Sequence, residues 1–127
     1  MKHRIFDLEE RTARFGEAVI EFCLELSFNP VTTPIITQLV ASGTSVGANY
    51  CEADEAESKK DFRHKIGICR KEAKETKYWL RMIAKALPAQ KTTARELWIE
   101  AKQLHLIFCA SIRTTDRHIR EERAIPS

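Results

Sequence analysis

Four histidines, four cysteines and eighteen carboxylates are the residues here that could do chemistry, and spacing decides whether they do. Cys23, Cys51, Cys69 and Cys109 are far apart, form no C-x-x-C pair and join no histidine in a ligand pattern, so neither a zinc site nor a dithiol motif follows. Each falls among apolar neighbours, which predicts reduced, buried thiols acting as small hydrophobes. His3, His64, His105 and His118 are scattered, and no Glu has a His three residues later, as a di-metal carboxylate bundle requires. No Cys–His or Ser–His dyad follows from spacing either. Asn49 and Glu52 come nearest to a site, because a buried carboxylate can be catalytic. With no second partner to name, their expected role is a structural hydrogen-bond network. A protein that is not an enzyme is expected, with no catalytic residue, metal or cofactor.

The segment around Asn49 raises a second possibility. "ASGTSVGANYCEADEA" holds Gly43 and Gly47 among hydroxyls, but a phosphate loop needs G-x-x-x-x-G-K-[ST], and here the spacing is one residue short and no lysine follows. Ile36, Leu39, Val40, Val46 and Tyr50 recur at helical spacing through it. The stretch is therefore predicted to be helix, with Gly43 and Gly47 allowing close approach of a neighbour. Such an approach must offset about 1 kcal/mol per interior glycine relative to Ala. Ser42, Thr44 and Ser45 can bond back to carbonyls of the preceding turn.

Three more helices carry apolar stripes. Asp7-x-x-Glu10 caps a first, with Phe15, Val19, Phe22 and Leu26 on one face; Ser58-x-x-Asp61 caps a third, striped by Phe62, Ile66, Cys69, Ala73, Thr76, Leu80, Ile83 and Leu87. Thr93-x-x-Glu96 caps a fourth, with Leu97, Ala101, Leu104 and Phe108 in register. The predicted helices span about 7–27, 33–56, 58–87 and 93–118 of one 127-residue domain, followed by a polar tail. Short connections between long helices imply an all-α, antiparallel up-and-down four-helix bundle. With no uncharged run long enough to span a bilayer and no secretory pattern in "MKHRIFDLEE", a cytoplasmic protein is expected.

Charge is unevenly placed. The chain carries only +3, yet residues 58–87 hold ten Lys and Arg against three Asp and Glu, a net of +7, while 31–57 hold four acids and no base. Lys60, Arg63, Arg70, Lys74, Lys77 and Arg81 fall on one flank of the third helix, a ridge that can follow nucleic-acid phosphates. Pairing of that ridge with acids of the first two helices is the competing expectation. Aromatic residues beside the ridge are limited to Tyr78. Another face of the helix carries Ile68, Trp79 and Met82 with Glu72 and Glu75 between them, a second stripe expected to form a subunit contact.

"TSVGANYCEADEAESKKDFRHKIGICRKEAKETKYWLRMI" resembles the bacterial four-helix-bundle family that includes proteins encoded within intervening sequences of large-subunit (23S) ribosomal RNA genes. It is similar, more distantly, to the accessory variability determinant of diversity-generating retroelements. The likeness runs from about Phe6-Asp7-Leu8 through the fourth helix. Its most specific positions are Ser45-Val46, Asn49 with Glu52, Lys60-Asp61-Phe62, Lys71-Glu72-Ala73, Glu75 and Tyr78-Trp79-Leu80. The resemblance implies an up-and-down bundle assembled into a ring, typically a pentamer. The retroelement relatives bind nucleic acid and a reverse transcriptase, but they are more uniformly basic than this chain with its acidic first half. The leading expectation is a non-enzymatic homo-oligomer that binds structured RNA or other nucleic acid through the third helix. The alternative is a ring-forming scaffold that engages a protein partner and no nucleic acid.

Overall fold

In the computed structural model, which describes residues 7–126, the order is α1 (Leu8–Leu24), α2 (Thr32–Asp54), α3 (Lys59–Ala86) and α4 (Lys91–Ala124). His3 and Phe6 lie outside the described residues. Local chemistry starts the helices. The Asp7 carboxylate accepts from the Glu10 N–H at 3.1 Å, and the Ser58 hydroxyl accepts from the Asp61 N–H at 3.0 Å. At the head of α2, Asn29 Oδ1 accepts from the N–H groups of Val31 and Thr32 at 2.8 and 2.9 Å, so Asn29-Pro30 turns the chain and caps the helix together. The fourth helix departs from expectation at both ends. A 3-10 turn, Pro88–Gln90, runs directly into α4, so Thr93 lies inside the helix and caps nothing, and helix continues past 118 to Ala124.

Sequential helices pack as antiparallel neighbours around a square, the diagonal pairs stay apart, and α1 meets α4 only slightly. The result is an all-α, up-and-down four-helix bundle in which α3 lies between α2 and α4. Its stripe is the spine of the core: Ile66, Cys69, Ala73, Thr76, Leu80 and Ile83 are buried, facing Leu39 and Val46 of α2 and Leu104 and Phe108 of α4. Each large aliphatic or aromatic side chain so buried contributes about 1.5–3 kcal/mol. The Thr76 hydroxyl donates to the Glu72 carbonyl at 2.7 Å and stands 3.0 Å from the Ser42 hydroxyl, which satisfies two polar groups inside the α2–α3 seam.

The small-residue segment is helical throughout and lies against α1. A Cβ built on Gly43 would come within 2.9 Å of Val19 Cγ1, and one on Gly47 within 3.3 Å of the Thr12 backbone. The hydroxyls of Thr44 and Ser45 donate to the carbonyls of Val40 and Ala41 at 2.7 and 2.6 Å, so they add little bulk at the seam. On the open α1–α4 side, the Arg11 guanidinium donates to both carboxylate oxygens of Glu100, at 2.7 and 2.9 Å. Among the described residues, no helix is long and apolar enough to cross a membrane.

Candidate nucleic-acid interface

The α3 ridge divides into a compensated half and an uncompensated half. Toward the helix N-terminus, Lys59 pairs with Glu122 and Arg63 donates to both oxygens of Asp116 at 2.8 and 3.3 Å, whereas Lys65, off the ridge on the α2 side, pairs with Glu52 at 2.6 Å. The acids come mainly from α4, not from α1 and α2. Asp116 titrates below the usual carboxylate range because the Arg63 guanidinium bonds it, and Arg63 is raised by the same bond. Farther along, Arg70, Lys74, Lys77 and Arg81 take part in no ion pair among the described residues, and neither does Lys60. Their field reaches the next helix: His105 of α4 titrates below its ordinary value, first because it is partly desolvated and then through Lys77, Lys74 and Arg70.

That next helix completes the face. Lys77 of α3 and Arg95 and Lys102 of α4 gather on the Trp98 ring, with cationic atoms 5.6, 5.8 and 5.7 Å from its centroid. Beside the ring, Arg81, Lys91 and Arg95 border a groove of about 350 Å³ floored by Leu80, Ala84 and Ala94. Spacing on α3 puts Tyr78 alone among aromatics near the ridge, whereas the fold brings Trp98, Arg95, Lys91 and Lys102 of α4 to it. A signal was available in the spacing Arg95-x-x-Trp98-x-x-x-Lys102, which puts three residues on one helical face. What spacing did not carry was the side of α3 that this face would meet.

The second stripe of α3 lies on the flank toward α2, where Lys65 also points. Ile68, Glu72, Glu75, Trp79 and Met82 are all half-buried within the single chain. Trp79 packs against the core, and its indole N–H donates to Glu75 at 3.1 Å, so part of this stripe is satisfied without a second subunit. Partial burial, with Glu75 close by, raises the Glu72 carboxyl above its usual range.

The remaining residues with chemical potential are dispersed. Glu52 is exposed and held by Lys65, whereas Asn49 donates to the Ser45 carbonyl at 2.8 Å; the expected shared network is thus two separate contacts. The reason lies in their partners: Lys65 of α3 holds the Glu52 carboxylate, while the Asn49 amide bonds back to a carbonyl of its own helix. Burial pushes the Cys23 and Cys69 thiols up to about 11 and about 12, which makes them inert. The other two thiols are not buried: Cys51 is exposed and Cys109 is only half-buried. The Cys109 sulfur lies 3.9 and 4.0 Å from the two His105 ring nitrogens, too far from either for the directed bond that activates a nucleophile. Among the described residues, no three His, Cys, Asp or Glu side chains converge to hold a metal ion.

A family model described as 23S rRNA-intervening sequence protein matches residues 7–108. The chain is also similar to the crystal structure of a protein of unknown function from the S23 ribosomal protein family of Bacteroides thetaiotaomicron. The two share 25% identity and a TM-score of 0.71, over 83% of this chain and 97% of that one. No curated protein matches the chain.

Proposed function

We propose that this chain, which belongs to the 23S rRNA-intervening sequence protein family, is a non-enzymatic bundle that binds structured RNA or other nucleic acid through the basic face shared by α3 and α4. One observation carries the reading: Arg70, Lys74, Lys77 and Arg81 run along α3 without acidic partners among the described residues, and Arg95 and Lys102 of α4 converge on the same surface. A polyanion offsets the mutual repulsion of such a row, and release of its condensed counterions supplies the affinity. Self-association, through the flank of α3 that carries Ile68, Trp79 and Met82, is compatible with this. That flank is turned toward α2 and the cations toward α4, so a homo-oligomer, a pentameric ring included, would leave the basic face open.

The test is retention of a structured RNA across a salt series by the parent and by Arg70→Glu/Lys74→Glu/Lys77→Glu. The parent is expected to show log affinity falling linearly with log salt, and the variant to lose at least about 100-fold, with a slope shallower by about 2–3. Equal binding by parent and variant would remove the basic face from the mechanism and favour a scaffold that engages a protein partner instead.

A further inference from the structure

Trp98 is a large aromatic side chain in an unusual electrostatic setting. It is half-buried, with part of the ring packed on the core and the rest forming a wall of the α3–α4 groove. Three cations from two helices, on Lys77, Arg95 and Lys102, stand within 5.6–5.8 Å of its centroid, and none of them is ion-paired among the described residues. An indole attracts each cation singly. Three of them around one ring also repel one another, and only an anion relieves that repulsion. The groove adds an apolar floor, Leu80 and Ala84, beside the ring, with Arg81 and Lys91 at the border. A ligand matching all of this is flat and apolar on its faces and carries negative charge at its edges. An unpaired nucleotide fits that description, since its base has a free face for stacking and its phosphates lie to either side. A duplex does not, because its base faces are already stacked. Trp79 offers no such site: its N–H is bonded to Glu75 and it lies on the other flank of α3.

We propose that Trp98 is a stacking platform for an unpaired base of RNA, with Lys77, Arg95 and Lys102 holding the adjoining phosphates. This rests on the nucleic-acid reading and adds to it a preference for single-stranded over double-stranded segments. The experiment uses a Trp79→Phe background, in which Trp98 is the sole tryptophan of the two in the chain. A short oligouridine and an RNA duplex of equal length are titrated, with tryptophan emission and filter retention as readouts. Oligouridine is expected to quench the emission and the duplex to leave it nearly unchanged. Adding Trp98→Leu should weaken oligouridine binding by about 5- to 150-fold, leaving duplex retention and the salt slope as they were, while Trp98→Phe keeps most of the affinity. Circular dichroism melting identifies a variant that has lost its fold, and the Phe substitution keeps the question decidable in that case. If Trp98→Leu and Trp98→Phe both bind oligouridine as the parent does, stacking is overturned and the basic face stands. Equal weakening of single strand and duplex by a folded Trp98→Leu also overturns it, because the ring then only shapes the surface. A parent that retains neither RNA removes the stacking site and the nucleic-acid reading together.

Discussion

A methyl group added at Gly43 has nowhere to go. Its nearest neighbours are the two Val19 methyls at 2.9 and 3.0 Å, and Val19 is fully buried and stiff about χ1. Gly43→Ala therefore gains about 1 kcal/mol of helix propensity and loses about 1–3 kcal/mol to overpacking. A net destabilisation of up to about 2 kcal/mol is expected, read from the midpoint of urea unfolding at unchanged slope. A Gly43→Ala protein more stable than the parent would show that α1 can retreat at no cost. The glycines were legible at this scale because a small residue on a packed helical face has few other uses. Glu52 was not: its neighbour Lys65 comes from another helix, and nothing local reveals that the carboxylate leans toward it into solvent.

At the scale of the element, α3 is a two-sided beam whose cations are sorted by the helix that faces them. Near its start, α4 supplies Asp116 and Glu122, which pair with Arg63 and Lys59; farther along, α4 supplies Arg95 and Lys102, and positive charge accumulates. Asp116→Asn should release Arg63 and lengthen the uncompensated row by one cation. The expected result is tighter RNA retention with a log–log salt slope steeper by about 0.7–0.9. An unchanged slope would place Arg63 outside the bound footprint. The N-caps at Asp7 and Ser58 were legible because a cap is a contact between residues three apart. The start of α4 was misplaced for a related reason: Thr93-x-x-Glu96 matches a capping box, but the 3-10 turn at Pro88–Gln90 had already begun winding the chain.

For the whole molecule, the question is what the bundle leaves unsatisfied. Its basic face lies at the α3–α4 seam, while the flank with Ile68, Trp79 and Met82 is turned toward α2 and is half covered by the chain itself. Light scattering is expected to give a mass that is a multiple of 14.6 kDa. Met82→Glu, which places a charge among those apolar groups, should shift the mass toward the monomer. A parent that stays monomeric at high concentration would dismiss the second stripe as a subunit contact.

Helix positions, apolar stripes and the concentration of positive charge in 58–87 follow from the sequence by itself, because each depends on residues a few positions apart and on the 3.6-residue period. The family resemblance also lay within one contiguous stretch. Which cations are neutralised, and which aromatic ring they surround, was decided only by tertiary structure. Arg63 meets Asp116 across 53 residues, and Lys77 meets Trp98 from a different helix. Those meetings depend on the rotation and axial offset of packed helices, which side-chain interlocking sets and no local spacing encodes.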